Sequence, residues 1–419
     1  MKSHESCHRW SMARRRLRPM QSLSIAMSLD RSSTPFPALQ PTLNPALHAL
    51  QCISCEAIYP VSDLPEGCPA CHSQSRPSSV EAVYDARAFD FAPKSTGYRW
   101  GHCLPYLNGV TLGEGDTPCL SVPALAEVAG VASVWIKNEG VNPTGSHKDR
   151  MSSQAVSRAL AIGAREVVLA SSGNAAVSAA AYCAAAGLAC EVATYRDLPA
   201  IFDAALRYYG ARRIVCETGH ARWEHVRRRV QDDGAFALTN YSIPAVGSPV
   251  FGVEGYRAAA LEWVYQGCEP DHVIVPTARG DLLWGIFSVL RDLVAARRLS
   301  RVPKLWAVEP FPRLSRVLSG EPQQGDFAGA TQQFSTAGST VTAQQVQAVT
   351  RSGGGAVVVG DEAARAGTAA LAAAGFWVEL CAGAGLAAAQ MLRADGRIDA
   401  SQSVLLMLTA RGDRDPAQS

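Results

Sequence analysis

Asn142-Pro143-Thr144-Gly145-Ser146-His147-Lys148-Asp149-Arg150 decides how the rest of this 419-residue chain is read. The stretch follows an apolar, strand-like run and opens a helix-like one, which sets Lys148 where a Pro-Thr-Gly-Ser turn meets a helix N-terminus. A lysine that is merely solvated at a surface has no need of such a setting. A primary amine held there can form an imine with a carbonyl cofactor.

A second segment makes the reading specific. Val167-Val168-Leu169-Ala170 reads as a strand, Ser171-Ser172-Gly173-Asn174-Ala175-Ala176 as a turn opening a helix, and an Ala-rich helix then runs to Ala186 and stops at Gly187. Unpaired backbone N–H groups at such a helix start, aided by the helix dipole, make a carboxylate or phosphate site. A plain helix cap is the alternative for Ser171 to Asn174. Together the two segments resemble the threonine-synthase branch of the fold-type II pyridoxal-phosphate enzymes, in the tryptophan synthase beta superfamily. The resemblance implies that Lys148 carries pyridoxal 5'-phosphate, that Asn174 bonds the cofactor's ring oxygen, and that Ser171, Ser172 and Gly173 bind substrate.

Three further stretches extend the resemblance. Val275-Pro276-Thr277-Ala278-Arg279-Gly280-Asp281-Leu282 has the position of the family's phosphate loop, between a strand and a helix N-terminus, which assigns Thr277, Ala278, Arg279, Gly280 and Asp281 to the cofactor. It has one Gly where many relatives have several, and Arg279 either pairs with phosphate or is a surface side chain. Leu406-Met407-Leu408-Thr409-Ala410-Arg411-Gly412-Asp413 resembles the closing strand and turn, whose Thr hydroxyl meets the pyridine nitrogen, so Thr409 inherits that role, with Ala410 in place of the usual Gly. Gly113-Glu114-Gly115-Asp116-Thr117-Pro118 resembles the family's Gly-Glu-Gly-x-Thr-Pro loop, and Lys137 with Glu139 keeps its Lys-x-Glu, which makes Lys137 a substrate-binding candidate. One departure bears on substrate: many threonine synthases have a phosphate-holding Arg two residues before the Glu-Gly aligned with Glu254-Gly255, and this chain has Gly252 there. Losing that partner removes charge-assisted bonds of roughly 1.5 to 3 kcal/mol each unless Lys137, Arg257 or another base replaces it.

Cys52-x-x-Cys55, then twelve residues, then Cys68-x-x-Cys71 is the spacing of a zinc ribbon, two knuckles that set four thiolates around one structural zinc. Two disulfides are the alternative, disfavoured by the lack of a clear secretory signal and by Cys183, Cys190, Cys216 and Cys381 in apolar settings. Glu56 and His72 stand where a ribbon prefers Gly, and His72 competes as a ligand.

A hydrophobic content of 47% against 18% charged residues is an ordinary soluble balance, and a net charge of +2 argues for no special partner. No run approaches the 18 or so apolar residues of a membrane span. Arg227-Arg228-Arg229 reads as a solvated helix face rather than a nucleic-acid site. Alternating strand and helix signals from Trp135 to Leu238, and again from Glu254 to Leu408, predict an α/β chain with parallel sheets. The fold expected is that of a fold-type II enzyme: two open parallel-sheet α/β domains with the cofactor in the cleft, plus a small N-terminal zinc ribbon. The boundaries expected are an extension and linker over 1–46, disordered or from a start codon called too early, the ribbon over 47–80, a large domain over 81–145 and 246–415, and a small domain over 146–245. Ser319 to Ser339 is expected to be a mobile loop.

The resemblance implies a cytoplasmic enzyme of amino-acid metabolism, a pyridoxal-phosphate-dependent lyase compatible with a homodimer, acting on a small amino acid with neither nucleic acid nor membrane as partner. Threonine synthase, converting O-phosphohomoserine to threonine, or a close paralogue is the first expectation. β-Replacement of the cysteate- or cysteine-synthase kind and serine/threonine deamination follow it. A zinc-ribbon binding protein with a decayed active site is the non-enzymatic alternative.

Overall fold

The computed structural model describes residues 39–85, 91–94 and 98–415, so residues 1–38 of the expected extension lie outside the described residues. The first elements are β1 (Leu47–Cys52), β2 (Ile58–Tyr59), α1 (Pro69–His72) and β3 (Val80–Tyr84). They form a small antiparallel sheet in the order β2-β1-β3. Strands this short have little stability of their own, which makes the cysteine cluster between them the natural staple.

The chain continues through β4 (Cys119–Ser121), α2 (Pro123–Ala129) and β5 (Ser133–Asn138), then a single 3-10 turn at Glu139–Val141, into α3 (Lys148–Ala161). A run of strand-helix units follows: β6 (Glu166–Ala170), α4 (Asn174–Ala186), β7 (Ala189–Thr194), α5 (Ala200–Tyr208), β8 (Arg212–Val215), α6 (Gly219–Asp233) and β9 (Phe236–Ala237). Its strands make a four-stranded parallel sheet, β8-β7-β6-β9. Then come α7 (Val250–Glu254), α8 (Arg257–Tyr265), β10 (His272–Pro276), α9 (Asp281–Ala295), β11 (Lys304–Glu309), α10 (Leu314–Leu318), α11 (Ala343–Arg351), β12 (Gly355–Val358), α12 (Asp361–Ala373), α13 (Leu380–Ala394) and β13 (Ser403–Leu408). These complete a six-stranded sheet, β12-β11-β10-β13-β5-β4, in which β4 alone of the named strands runs antiparallel to its neighbour. All five residues of β10 are buried, as expected of a parallel strand covered by helices on both faces.

Local chemistry explains where the elements differ from the sequence expectation. α6 starts at Gly219, where the Thr218 hydroxyl accepts the Ala221 N–H at 3.0 Å as an N-cap. The segment 319–339, expected as a mobile loop, carries a 3-10 turn at Phe334–Thr336 and is anchored by Gln333, whose side-chain amide donates to Val359 O at 2.7 Å. Among the described residues no helix is long and apolar enough to cross a membrane.

One buried charge cluster fixes α3 to the rest. Arg150 donates from Nε to Glu139 at 2.6 Å and from Nη1 to Glu262 at 2.7 Å, and Nη2 reaches both carboxylates, at 2.8 and 2.7 Å. Lys137 Nζ completes the set with Glu262 at 2.8 Å and Thr117 O at 2.6 Å. Two cations thus face two anions with no net charge, joining the end of β5, the Gly113–Pro118 loop, α3 and α8. Burial opposes the charge on Glu139, but Arg150 and then Lys137 outweigh it and hold its pKa down at about 2. Removing one member leaves an unpaired buried charge, a loss of about 3–5 kcal/mol. Arg150→Met is therefore expected to lower the urea-unfolding free energy by about that amount, and a loss below about 1 kcal/mol, the size of an exposed pair, would contradict the assignment.

Candidate active site

Lys148, Asn174, the loop 277–281 and Thr409 lie beyond the carboxyl ends of four parallel strands, β5, β6, β10 and β13, the place where ligands bind in open α/β sheets. Sequence motifs scattered over more than half the chain meet there because each follows its own strand.

The lysine turn is clamped from both sides. Ser146 and Ala410 form an antiparallel bridge, His147 N donates to Thr409 O at 2.9 Å, and Arg411 N donates to Gly145 O at 3.1 Å. His147 Nδ1 donates to the same Thr409 carbonyl at 3.0 Å, and burial holds this imidazole well below its usual pKa and therefore neutral. On the other side, the Asp149 carboxylate accepts from Thr144 N at 2.6 Å, from the Thr144 hydroxyl, and from Ser178 of α4 at 2.6 Å. Asp149 thereby ties the lysine helix to the Asn174 helix.

Lys148 itself is half-buried, and its Nζ donates to the Tyr256 hydroxyl at 3.2 Å, with the Tyr256 ring centroid 5.6 Å away. Burial pulls the amine down to about 8; Asp281 opposes the shift and the nearby charge of Arg279 adds to it. An amine near 8 is deprotonated often enough at neutral pH to act as a nucleophile or base. Tyr256 was not singled out from sequence; it follows Glu254-Gly255, and its approach to the lysine depends on α7 and α8 packing on α3.

The loop after β10 fits a phosphate. Its carbonyls are turned into the protein: Thr277 O and Ala278 O accept from Arg313 at 2.9 and 3.3 Å, Ala278 O accepts from Gln345 at 2.9 Å, and Arg279 O accepts from Thr342 at 2.6 Å. Gly280 has φ +88°, and a Cβ there would collide with Gln345, so glycine is required. The first N–H groups of α9 then have no intrahelical partner and suit an anion. Asp281 is spoken for, accepting from Ser248 N at 3.1 Å and Ser248 Oγ at 2.7 Å.

Asn174 and Thr409 meet at Glu379, a residue the sequence reading passed over. Thr409 Oγ1 donates to Glu379 Oε1 at 2.7 Å, and Asn174 Nδ2 and Ser335 Oγ reach Glu379 Oε2 at 3.2 and 2.7 Å. Burial raises the Glu379 pKa against these bonds. The other end of the Asn174 amide is buried without a partner among the described residues. That orphaned polar end, the half-buried Lys148 amine and the phosphate-suited loop together fit the aldehyde cofactor that the resemblance implies. The lone carboxylate in the apolar run Phe376-Trp377-Val378-Glu379-Leu380 was the available sequence signal.

Ser171 and Ser172 sit in the turn before α4. Ser171 Oγ accepts from Gly173 N at 3.4 Å, while Ser172 Oγ accepts from Arg222 at 2.8 Å and lies 3.1 Å from Thr194 Oγ1. A Cβ on Gly173 would stand 3.2 Å from the Phe334 ring, so the 319–339 segment forms part of the wall beside this turn.

One expectation is corrected. Lys137 is fully buried and its ammonium is taken by Glu262 and Thr117 O, so it builds the core under α3 and is not presented to substrate. Gly252 lies against α3, where a Cβ would stand 3.0 Å from the Met151 side chain and 3.3 Å from Ala155, so a larger residue there would press on α3. Arg257, the other named substitute, is buried and bonded to Asp292 at 2.8 Å and Ser288 at 3.2 Å.

In the ribbon, Cys52 Sγ and Cys71 Sγ are 3.6 Å apart, Cys55 Sγ and Cys68 Sγ 3.7 Å, and all four sulfurs lie within 4.8 Å of one another. Four thiolates at about 2.3 Å from a tetrahedral zinc stand about 3.8 Å apart. Backbone N–H groups of Ser54 and Cys55 point at Cys52 Sγ and that of Cys71 at Cys68 Sγ, each at 3.4 Å. Glu56 adopts φ +62° at the position where glycine is usual, whereas His72 lies in α1, exposed and outside the group of four.

Comparisons with known proteins agree with this geometry. A family model described as pyridoxal-phosphate dependent enzyme matches residues 110–410. Threonine synthase of Synechocystis sp. is 29% identical over 368 residues, 83% of this chain and 92% of that protein. Threonine synthase of Mycobacterium leprae is 30% identical over 312 residues, 73% of this chain and 84% of its own length. Among solved structures, serine racemase from Dictyostelium discoideum matches with a TM-score of 0.58 at 21% identity, over 70% of this chain and 92% of that one, a likeness of fold.

Proposed function

This chain belongs to the family of pyridoxal-phosphate-dependent enzymes, and from that premise we propose that it removes a leaving group from the β or γ carbon of an amino acid and adds water or another nucleophile in its place. Threonine formation from O-phosphohomoserine is the first reading, supported by the likeness to threonine synthases over most of the chain. The observation that carries the proposal is the Lys148 amine, half-buried, bonded to Tyr256 and pulled down to about 8. The non-enzymatic alternative loses its footing with family membership, and Arg227 and Arg229 of the basic run are paired with Glu224 and Asp233.

When bound, pyridoxal phosphate supplies an electron sink for bonds at the substrate's α carbon. Lys148 would hold the cofactor, and its amine would move protons at the α and β carbons of the substrate. The N–H groups at 281 and beyond hold the cofactor's phosphate, with Thr277, Ala278, Arg279 and Gly280 shaping the loop. Asn174 would stand beside the ring at the start of α4, and Thr409 would meet the ring nitrogen while its own proton is directed at Glu379. The turn Ser171–Gly173 binds the substrate carboxylate at the N-terminus of α4. We place the two lobes at 81–145 with 246–415 and at 146–245, because the six- and four-stranded sheets draw their strands from those stretches. A cytoplasmic location and a homodimer stay part of the proposal.

The glycine at 252, where the resemblance leads one to expect an arginine, favours a second reading, β-replacement or deamination of an amino acid whose leaving group is not held from that position. Steady-state assays on O-phosphohomoserine, O-phosphoserine, O-acetylserine, serine and threonine separate the readings. Turnover of at least one is expected, with kcat lowered by about 10³-fold or more in Lys148→Ala. No turnover of any, or wild-type turnover in Lys148→Ala, would overturn the proposal.

We also propose that Cys52, Cys55, Cys68 and Cys71 hold one structural zinc, because their sulfur spacings suit it. Metal analysis is expected to return one zinc per chain, and its chelation to loosen residues 47–84 to proteolysis while the cofactor site persists. Purified protein without zinc, or a ribbon equally resistant after chelation, would refute this.

A further inference from the structure

Among the described residues Lys148 Nζ has a single hydrogen-bond partner, the Tyr256 hydroxyl at 3.2 Å. Tyr256 is fully buried, and its hydroxyl turns its own proton to Met151 Sδ at 3.5 Å, which leaves the oxygen lone pairs facing the lysine. Burial pushes the phenol well above its usual pKa, so it keeps that proton. The ring is held from three sides. It lies 5.5 Å from the His147 ring at an interplanar angle of 34°, a Cβ on Gly285 of α9 would come within 2.6 Å of the Tyr256 Cβ, and Gly255 beside it packs directly on Arg150 O of α3.

An amine that takes a proton becomes an ammonium, and an ammonium shut away from water needs an acceptor. The phenol oxygen is the acceptor in place. Asp281 and Glu379 favour the charged lysine and Arg279 opposes it, but the two carboxylates act through charge alone, since Asp281 is bonded to Ser248, and Glu379 to Thr409, Asn174 and Ser335. The neighbouring His147 is neutral. A phenol can bond the lysine in either state, donating to the neutral amine or accepting from the ammonium. The second bond wins, because a hydrogen bond to an ionised group is roughly twice as strong as one between neutral groups, and Met151 Sδ takes the phenol proton when it turns away from the lysine.

We infer that Tyr256 is a catalytic residue: its hydroxyl stabilises the ammonium that forms each time Lys148 takes a proton from the substrate, and so sets how strong a base the lysine is. In that step the C–H bond breaks, the Nζ lone pair forms the new N–H bond, and the electron pair stays on the carbon, for which the cofactor is the sink. The phenol oxygen accepts from the ammonium as it forms. The inference rests on the reading that Lys148 moves protons at substrate carbons, and deepens it by assigning the group that governs them.

Tyr256→Phe removes one oxygen and keeps the ring, while Met151→Leu keeps the volume and removes the sulfur acceptor. With the full-length protein freed of cofactor, the rate of imine formation on adding pyridoxal 5'-phosphate is followed by absorbance across pH, since only the neutral amine reacts. Its midpoint, expected at about 8 in the wild type, is expected to fall by about one pH unit in Tyr256→Phe and by less in Met151→Leu. With the holoenzyme and an amino acid it turns over, the limb of the kcat profile that rises as Lys148 loses its proton is expected to move down by the same amount. The kcat plateau is expected to fall roughly 3- to 10-fold while KM stays within about twofold. An unshifted midpoint in Tyr256→Phe would overturn the inference, and so would a drop in kcat with an unchanged profile, the mark of a merely structural tyrosine. Should Tyr256→Phe fail to fold, a Met151→Leu midpoint equal to the wild type's overturns it. If the wild type turns over no amino acid at all, the functional reading fails, and the imine titration alone still decides the part played by Tyr256.

Discussion

The site depends on how α3 is held. Its first turn carries Lys148, Asp149 and Arg150 in succession, and each side chain leaves the helix in its own direction, the amine to the cleft, the carboxylate to the turn and to α4, and the guanidinium to the buried pair Glu139 and Glu262. Successive helical residues lie about 100° apart around the axis, so three neighbours can serve three partners at once. With Arg150 fixed by charge-assisted bonds and Asp149 by its hydroxyl and amide donors, the Lys148 amine has little freedom left. The chemistry needs that restraint, because a nucleophile displaced by an ångström loses much of its advantage.

The same constraint explains the chain's departures. Because α7 and α8 press on α3 closely enough to set Tyr256 on the lysine, position 255 must be glycine, since a Cβ there would run into Arg150 O, and a Cβ at 252 would press on Met151.

Much of this was legible in the sequence, and the limits have physical causes. The strand-turn-helix character of the motifs around Lys148 and Asn174 is local, and local signals survive in a linear reading, as do the paired Cys-x-x-Cys knuckles. Contacts across long separations do not: Glu379 joins Asn174 and Thr409 only once β13 and α13 are in place, and Arg222 meets Ser172 only when α6 covers β6 and β7. Lys137 was misplaced for the same reason, since its partner Glu262 lies far along the chain in α8 and only that ion pair reveals the lysine as part of the core.

The central claim is that Lys148, out of Lys2, Lys94, Lys137, Lys148 and Lys304, is the covalent anchor of the cofactor. Reduction of the purified enzyme with borohydride, followed by digestion and peptide mass mapping, tests it most directly. The account predicts a single pyridoxyl-modified peptide with the added mass on Lys148. A modification mapped to any other lysine, or no modified peptide from protein that carries the cofactor, would contradict it.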